Sequence, residues 1–315
     1  MPRWSDGRVH AAVPPLTTAK QGNLTGPLFM LLSACWFTVL NLLLKQATVD
    51  FGVWDIGFYR FCGGLIILCA VFGRNANPFR SGNQRLLLIR GCTGSASFML
   101  FIYSVQRLPV STALMLLYAY PAFAALFSSC LFKEKPSAIA WLCMAGVLAG
   151  VAILVNPSAG VDLFGAGAAV LSAVGAGLTI AIIRRLKQTN GSVIIYFYFC
   201  LIGTVVTAPA YLYAPAVPIH LPQAMICVGI AVFSVLGHLT MNHGFGYCRS
   251  WEGGLYLASE VVFTGLAGIA LFGDPVGWRF FTGGALILGS AVVIQADRAL
   301  RGENVTAALN VRGEK

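Results

Sequence analysis

Ten long runs of apolar residues follow one another along the chain, separated by short polar segments. The runs cover residues 27–46, 54–73, 86–106, 109–131, 137–155, 163–186, 193–213, 223–244, 250–272 and 277–296. Each holds about 20 residues, the length at which an α-helix crosses a hydrocarbon core of roughly 30 Å. The runs are continuously apolar rather than alternating, which disfavours a strand-based barrel. We therefore predict an all-α membrane protein with ten transmembrane helices.

The composition agrees with a chain that lies mostly in lipid. Of its 315 residues, 57% are hydrophobic and 10% are charged, against roughly 25% charged in an average soluble protein. The nine cysteines lie mostly within apolar runs and form no CxxC pair, so we interpret them as small hydrophobic residues. Residues 1–25 and 297–315 are polar and are predicted to be tails. The first of these lacks the apolar core and cleavage site of a signal peptide.

The basic residues indicate how the helices are oriented. The net charge is +10, which would suggest nucleic acid if the basic residues were clustered on one folded face. If both termini are cytoplasmic, 17 of the 21 lysines and arginines fall on the cytoplasmic side, including Arg90 in the second polar loop. In this count, Arg60 alone is assigned to the interior of a span. Such a bias is typical of the positive-inside rule and requires an even number of spans. We therefore predict cytoplasmic termini and no nucleic-acid partner.

Two stretches about 140 residues apart resemble each other. Residues 113–136 and 253–275 each hold a long apolar span, then a phenylalanine, then an acidic residue close to a proline. These shared residues are Phe132, Glu134 and Pro136 in the first stretch, and Phe272, Asp274 and Pro275 in the second. Because five spans, an odd number, separate the two stretches, the second half must lie inverted in the membrane. We predict one five-helix repeat over residues 26–156 and another over residues 162–296.

The chain resembles the drug/metabolite transporter superfamily, and within it the EamA-type bacterial members. The matching motifs are Phe58-Tyr59-Arg60-Phe61, Leu108-Pro109-Val110-Ser111-Thr112-Ala113, Tyr120-Pro121-Ala122-Phe123, Phe132-Lys133-Glu134-Lys135, Ser259-Glu260-Val261-Val262-Phe263 and Phe272-Gly273-Asp274-Pro275. The sequence departs from the family where Val261 replaces a proline that many members have after the glutamate, and where Asp274 replaces the more usual glutamate. The resemblance implies a secondary transporter of the cell inner membrane that works by alternating access between inverted halves.

Amino acids or related small metabolites are the expected substrates, with export favoured. Few basic groups lie within the spans, so a zwitterionic or aromatic substrate is favoured over a bulky polyanion. A transporter of another organic solute or drug and a passive channel are the alternatives. An enzyme is disfavoured because no catalytic groups converge. The chain has no phosphate-binding loop of the GKS or GKT type, so we expect no nucleotide cofactor and no ATP-driven transport.

Glu260 is the first candidate for a functional residue, because it lies about midway along the ninth span. An unpaired charge facing lipid costs several kcal/mol, so its carboxyl should face a cavity or a neighbouring helix. Helical spacing places Tyr256, Glu260 and Phe263 on one face. We expect Glu260 to bind substrate or a proton that is coupled to transport. The alternative is a neutral carboxyl bonded to a neighbouring helix.

Arg60 has three possible roles: it could bind a substrate carboxylate, pair with Glu260, or extend to the outer interface beside Asp55. In the eighth span, His238 and Asn242 share a face. One of these residues could face a cavity, and the alternative is that they form interhelical hydrogen bonds. The spacing of His238 and His243 does not suit a metal site, and we expect no metal. The remaining candidates for binding substrate are Trp36, Asn41, Tyr103 and Tyr120.

The placement of glycine is informative in the fifth and tenth spans. Gly146 and Gly150 have the spacing of close helix packing, and Gly283, Gly284 and Gly289 enrich the tenth span. These spans hold almost no polar side chains. We predict that they form scaffold or the surface of a weak homodimer, outside the substrate pathway, in a protein that is a monomer or such a dimer.

Overall fold

The computed structural model describes residues 25–72, 79, 82–120, 123–124, 126–127, 138–154, 162–186, 190–244, 257, 259–274, 277–290, 292–293 and 296–297. The helices are α1 Thr25–Ala47, α2 Val53–Phe72, α3 Gln84–Arg107, α4 Val110–Leu117, α5 Ala138–Leu154, α6 Leu163–Leu186, α7 Ser192–Tyr213, α8 Leu221–Gly244, α9 Ser259–Phe272 and α10, described over 278–290. No strand occurs within these ranges. The prediction of an all-α protein is confirmed.

Six of the described helices are long and apolar enough to cross a membrane, namely α1, α2, α3, α6, α7 and α8. Large apolar side chains are exposed on their outer faces, as at Ile66, Leu171 and Leu212. In water such side chains would form an extended apolar surface, whereas in a bilayer they contact lipid. The protein is therefore a multi-pass membrane protein. The number of spans and the side of the termini stay predictions.

Helix α4 is interrupted soon after it starts. Pro109 precedes it, and the helix ends at Leu117, with Tyr118 and Ala119 in a turn. Pro121 has no N–H to donate to the carbonyl of Leu117 four residues earlier, which accounts for a break at this point. The break matters because it places the Tyr118 hydroxyl between helices.

The helices pack in a pattern that is unchanged when the two halves of the chain are exchanged. Helix α1 packs on α8 as α6 packs on α3, and α2 packs on α8 as α7 packs on α3. Helix α4 contacts α6 as α9 contacts α1, while α2 contacts α7 and α4 contacts α9. In every one of these pairs, one helix comes from the first half and the other from the second. This pattern is consistent with a five-helix repeat.

Equivalent hydrogen bonds join the two closest helix pairs. The Ser33 hydroxyl on α1 donates to the Gly237 carbonyl on α8 (2.9 Å), and the Ser172 hydroxyl on α6 donates to the Ser97 carbonyl on α3 (2.7 Å). Ser33 and Ser172 are about 140 residues apart, as are Ser97 and Gly237. Close approach requires a small residue, since a Cβ at Gly237 would lie 2.6 Å from the Phe37 ring. The spacing of these bonds matches the spacing of the sequence repeat.

Gly146 and Gly150 of α5 pack against α10 within one chain. A Cβ at Gly146 would lie 2.6 Å from Ser290 Oγ, and one at Gly150 would lie 2.8 Å from the Gly283 carbonyl oxygen. These glycines therefore allow the backbones of the two helices to approach closely. Of the two roles predicted for them, the structure shows the scaffold.

Charged side chains stabilise several helix ends. Lys45 Nζ donates to the carbonyls of Val105 and Leu108 at the end of α3 (2.9 and 3.0 Å). Asp162 accepts hydrogen bonds from the backbone N–H groups of Phe164 and Gly165 at the start of α6. It also forms an ion pair with Arg107 (2.9 Å). The hydrogen bond from Arg107 is the main reason that the pKa of Asp162 lies below its usual value.

Candidate substrate site

A buried carboxyl cluster, made of Asn41, Tyr118 and Glu260, lies where α1, the end of α4 and α9 meet. Asn41 Nδ2 donates to Glu260 Oε1 (2.8 Å), and the Tyr118 hydroxyl donates to Glu260 Oε2 (2.9 Å). Tyr118 also lies 2.9 Å from the Leu257 carbonyl oxygen. Glu260 is 8% exposed. Each carboxyl oxygen thus has a neutral donor, so the group can be buried without a cation beside it.

Two further contacts extend the carboxyl cluster along α1 and α4. The Thr264 hydroxyl donates to Thr38 Oγ1 (3.3 Å), and Thr38 donates to the carbonyl of Ala34. The ring of Tyr120 lies 5.5 Å from that of Tyr118. The cluster therefore joins side chains from both halves of the chain through a row of polar groups inside an apolar protein.

A second polar region, the guanidinium cluster, consists of Arg60, Arg90, Tyr196, Ser234 and His238. Arg60 Nε donates to Ser234 Oγ (2.9 Å), which lies 2.8 Å from the Tyr196 hydroxyl. His238 Nδ1 lies 2.8 Å from the Ser234 carbonyl oxygen. The imidazole stacks on the Tyr196 ring, with centroids 4.5 Å apart and planes at 23°. These contacts tie α2, α7 and α8 together.

Aromatic rings surround the two guanidinium groups. Arg60 Cζ lies 3.5 Å from the centroid of Phe98 and 5.3 Å from that of Phe199. Arg90 Cζ lies 4.4 Å from the Phe199 centroid. The faces of these rings attract cations, so they stabilise the charges in part. They accept no hydrogen bond of ordinary strength from the N–H groups at the edge of each guanidinium.

Two expectations about arginine are wrong. Arg90 does not lie in a polar loop: it is within the second turn of α3 and only 5% exposed. Arg60 does not pair with Glu260, whose two oxygens bind Asn41 and Tyr118, and it does not extend to the interface, since it is 4% exposed. Asp55 accepts from the backbone N–H groups of Gly52 and Ala216 instead.

The predicted site residues divide between several places. Asn41, Glu260 and Tyr120 lie in or beside the carboxyl cluster, whereas Arg60 and His238 lie in the guanidinium cluster. The remaining residues behave as follows. Trp36 packs against Phe233, with ring centroids 5.6 Å apart, and Tyr103 lies under Arg107, 4.8 Å from its guanidinium carbon. Tyr256 and the side chain of Asn242 lie outside the described residues.

Glu260 lies near the start of the described part of the ninth helix. Helix α9 is described over Ser259–Phe272, and Glu260 is in the first turn of that range. Of the residues between 251 and 258 only Leu257 is described, and it is helical, so the position of Glu260 midway along the ninth span stays a prediction. In the described residues, no group of three or more His, Cys, Asp and Glu side chains is arranged to hold a metal ion.

Sequence reasoning did not select Arg90, Tyr196 and Ser234. Arg90 carried a usable signal, since it lies inside the third apolar run and not between runs. Ser234 and Tyr196 carried none, because a lone serine or tyrosine in an apolar helix is ordinary. Their role depends on the crossing of α7 and α8 beside α2.

Helices that are suited to crossing a membrane and that enclose buried polar clusters are typical of multi-pass membrane transporters. The chain belongs to the EamA-like transporter family, which matches it twice, over residues 24–156 and 163–296. The resemblance seen in the sequence motifs is thereby confirmed. Membership points to a transporter rather than to an enzyme.

Characterised and solved relatives agree with this class. The chain is 27% identical over 281 residues to the pseudopaline exporter CntI of Pseudomonas aeruginosa, covering 86% of this chain and 95% of that protein. It is 25% identical over 290 residues to human solute carrier family 35 member G1, covering 87% and 79%. One crystal structure superposes with a TM-score of 0.61 at 19% identity, covering 85% of this chain and 95% of the other. That likeness concerns the fold alone.

Proposed function

We propose that this protein is a secondary transporter of the inner membrane that exports amino acids or related small compounds by alternating access. Glu260 would bind the substrate or a coupled proton. The family match and a relative named as an exporter support transport and its direction. The amino-acid class follows from the neutral hydrogen-bonding groups and aromatic rings around the buried polar clusters, which suit a small zwitterion.

One observation carries this proposal: Glu260 is held by side chains from the other half of the chain. Asn41 and Tyr118 belong to the first half, and Glu260 belongs to the second. If the halves move relative to each other during transport, these two hydrogen bonds lie where the packing changes. A proton or substrate that binds the carboxyl would compete with Asn41 and Tyr118. Occupancy of the carboxyl would then favour one arrangement of the halves over the other.

The proposed orientation places both termini in the cytoplasm and inverts the second half relative to the first. Moving Arg90 from the loop to the interior leaves 16 basic residues on the predicted cytoplasmic side. The bias that supports the orientation is thus slightly smaller and keeps its sign. The exchange-invariant packing of α1–α4 against α6–α9 supports two repeats, proposed as residues 26–156 and 162–296.

Reconstituted protein tests the proposal. The full chain, in liposomes preloaded with an unlabelled amino acid, is given the same amino acid in radiolabelled form, for each proteinogenic amino acid in turn. We expect saturable uptake that is accelerated by counterflow for at least one of them. Linear, non-saturating flux would indicate a channel, and no counterflow with any amino acid would exclude this substrate class. Glu260→Gln is the test variant, and Asp50→Asn, which changes an exposed carboxyl, is its matched control.

A further inference from the structure

Two arginines are buried in the guanidinium cluster with donors that no atom of the described residues accepts. Arg60 and Arg90 are 4% and 5% exposed. Within the described residues, Arg60 Nη1, Arg90 Nε and Arg90 Nη1 are buried without a hydrogen-bond partner. A buried charge with open donors costs several kcal/mol unless something pairs with it. A ligand that accepts hydrogen bonds from these donors would offset this cost.

The two guanidinium groups are close enough to serve one molecule. Arg60 Cζ lies 5.3 Å and Arg90 Cζ 4.4 Å from the centroid of the same Phe199 ring. Their separation therefore cannot exceed the sum of these two distances. A small molecule with one or two negatively charged groups spans such a distance. The hydroxyls of Ser234 and Tyr196 stand beside Arg60 as neutral hydrogen-bonding groups.

No carboxylate in the described residues forms an ion pair with Arg60 or Arg90. Glu260 binds Asn41 and Tyr118, and Asp55 binds backbone N–H groups. The one ion pair in the described part of the chain joins Arg107 to Asp162 at the helix ends. The charge that would balance Arg60 and Arg90 therefore has to come from outside this part of the protein.

We propose that Arg60 and Arg90 form an anion site that binds the carboxylate of the transported molecule. That the bound molecule is transported rests on the proposed function, whereas the anion site itself rests on the geometry. A carboxylate matches the planar fork of a guanidinium and binds it through two hydrogen bonds. Ser234 and Tyr196 orient the group that binds Arg60. The substrate would then contact two separate places, its carboxylate at the guanidinium cluster and another polar group or a proton at Glu260.

Thermal unfolding of the detergent-purified full chain tests the anion site without knowledge of the substrate. The probes are malonate, its neutral diamide malonamide, and inorganic phosphate, at constant ionic strength and pH. We expect malonate to raise Tm saturably by several degrees, because a ligand stabilises the folded state that binds it. Malonamide should have no effect. The absence of any saturable rise with malonate would overturn the proposal. A larger rise with phosphate than with malonate would overturn the assignment to carboxylates.

The test variants are Arg60→Gln and Arg90→Gln, with Arg107→Gln as the matched control. Each test variant should raise the malonate concentration for half of the effect at least tenfold. Arg107 is exposed, so its variant should respond to malonate as the wild type does. An equal malonate response in the wild type and in both test variants would mean that the anion binds elsewhere, and would refute the site.

The Tm without any anion separates a ligand-binding role from a structural one. If Arg90 serves a ligand, Arg90→Gln removes an uncompensated charge, and its Tm in anion-free buffer should equal or exceed that of the wild type. If Arg90 serves the fold through Phe199, the Tm should fall, which would contradict the proposal. The liposome assay is independent of both. Malonate binding without any transport would support the anion site and contradict the proposed function. Transport that is unaffected by Arg60→Gln and Arg90→Gln would support the proposed function and contradict the assignment of the site to the transported molecule.

Discussion

The carboxyl cluster and the guanidinium cluster differ in how far the protein satisfies the hydrogen bonds of a buried ionisable group. Glu260 has a donor on each oxygen, supplied by Asn41 and Tyr118. Arg60 has one side-chain acceptor, Ser234, whereas Nε and Nη1 of the Arg90 guanidinium have no hydrogen-bond partner among the described residues. Both clusters lie among apolar helices. Within the part of the chain that the structure describes, the hydrogen bonds of the Glu260 carboxyl are satisfied, whereas those of the two guanidinium groups are not.

This difference separates two uses of buried polar groups. A satisfied group holds helices in one arrangement, and breaking a partner away from it is costly. An unsatisfied group weakens the fold until a ligand arrives, and it therefore contributes more to binding than to stability. Helix α1, which carries Asn41, packs on α8, which carries Ser234 and His238. This helix pair therefore connects the two clusters within the fold.

The largest effect is expected from Glu260→Gln. Glutamine keeps the size of the side chain and removes the proton-binding carboxyl, so transport should fall at least about 100-fold or lose its coupling to a pH gradient. Expression and Tm should change little. Counterflow in liposomes at several external pH values measures the effect. Wild-type rates with an unchanged pH dependence would remove Glu260 from the mechanism and leave the guanidinium cluster as the principal site.

A smaller but substantial effect is expected at the helix pair that links the clusters. In Gly237→Val, the added side chain would collide with Phe37, since even a Cβ would lie 2.6 Å from its ring. Overpacking of this kind costs about 1–3 kcal/mol. The Tm should fall, and malonate should stabilise the variant less. Gly167→Ala is the control, because nothing lies within 4 Å of a Cβ at Gly167. Equal Tm values for the two variants would contradict the close crossing.

A similar or smaller effect is expected from Tyr118→Phe, which removes one donor from Glu260. A hydrogen bond to a charged group contributes about 1.5–3 kcal/mol, and one to a neutral group about 1 kcal/mol. The Tm should fall in anion-free buffer, in contrast to Arg90→Gln, where it should hold or rise. Differential scanning calorimetry of the two variants side by side measures this contrast. A fall in both would show that the two clusters do not differ in the way described.

The smallest effect is expected outside the membrane, at Asp162. Its pKa is lowered mainly by the hydrogen bond from Arg107, so the stabilisation is present above the unfolded pKa and is lost as pH falls through the folded value. Asp162→Asn keeps an oxygen at the start of α6 and removes the charge. The variant should lose slightly less stability than the wild type below about pH 4. Tm measured from pH 7 downwards checks this, with Asp50→Asn as the control. An identical acid response in the wild type and Asp162→Asn would indicate that the ion pair contributes nothing measurable.

Much of the fold could be predicted from apolar runs, because the bilayer imposes the length and composition of each crossing helix independently of its neighbours. The boundaries of α6 and the predicted run over 163–186 coincide. The interruption of α4 could also be predicted from the sequence, because a proline such as Pro121 removes a hydrogen bond of its own helix. The candidate site was harder. Asn41 and Glu260 were both selected as polar residues within spans, yet their direct contact depends on how α1 and α9 meet.

The sequence by itself determined the class of protein, the apolar helices and the short list of polar residues that lipid would not tolerate, because each of these follows from local composition and period. Only the tertiary structure decided which polar residues meet. It placed Tyr118 on Glu260, kept Arg60 away from that carboxyl, and moved Arg90 from a supposed loop to the side of Phe199. The physical reason is that a hydrogen bond between helices depends on their crossing and rotation, which are set by close packing along the whole length of both helices.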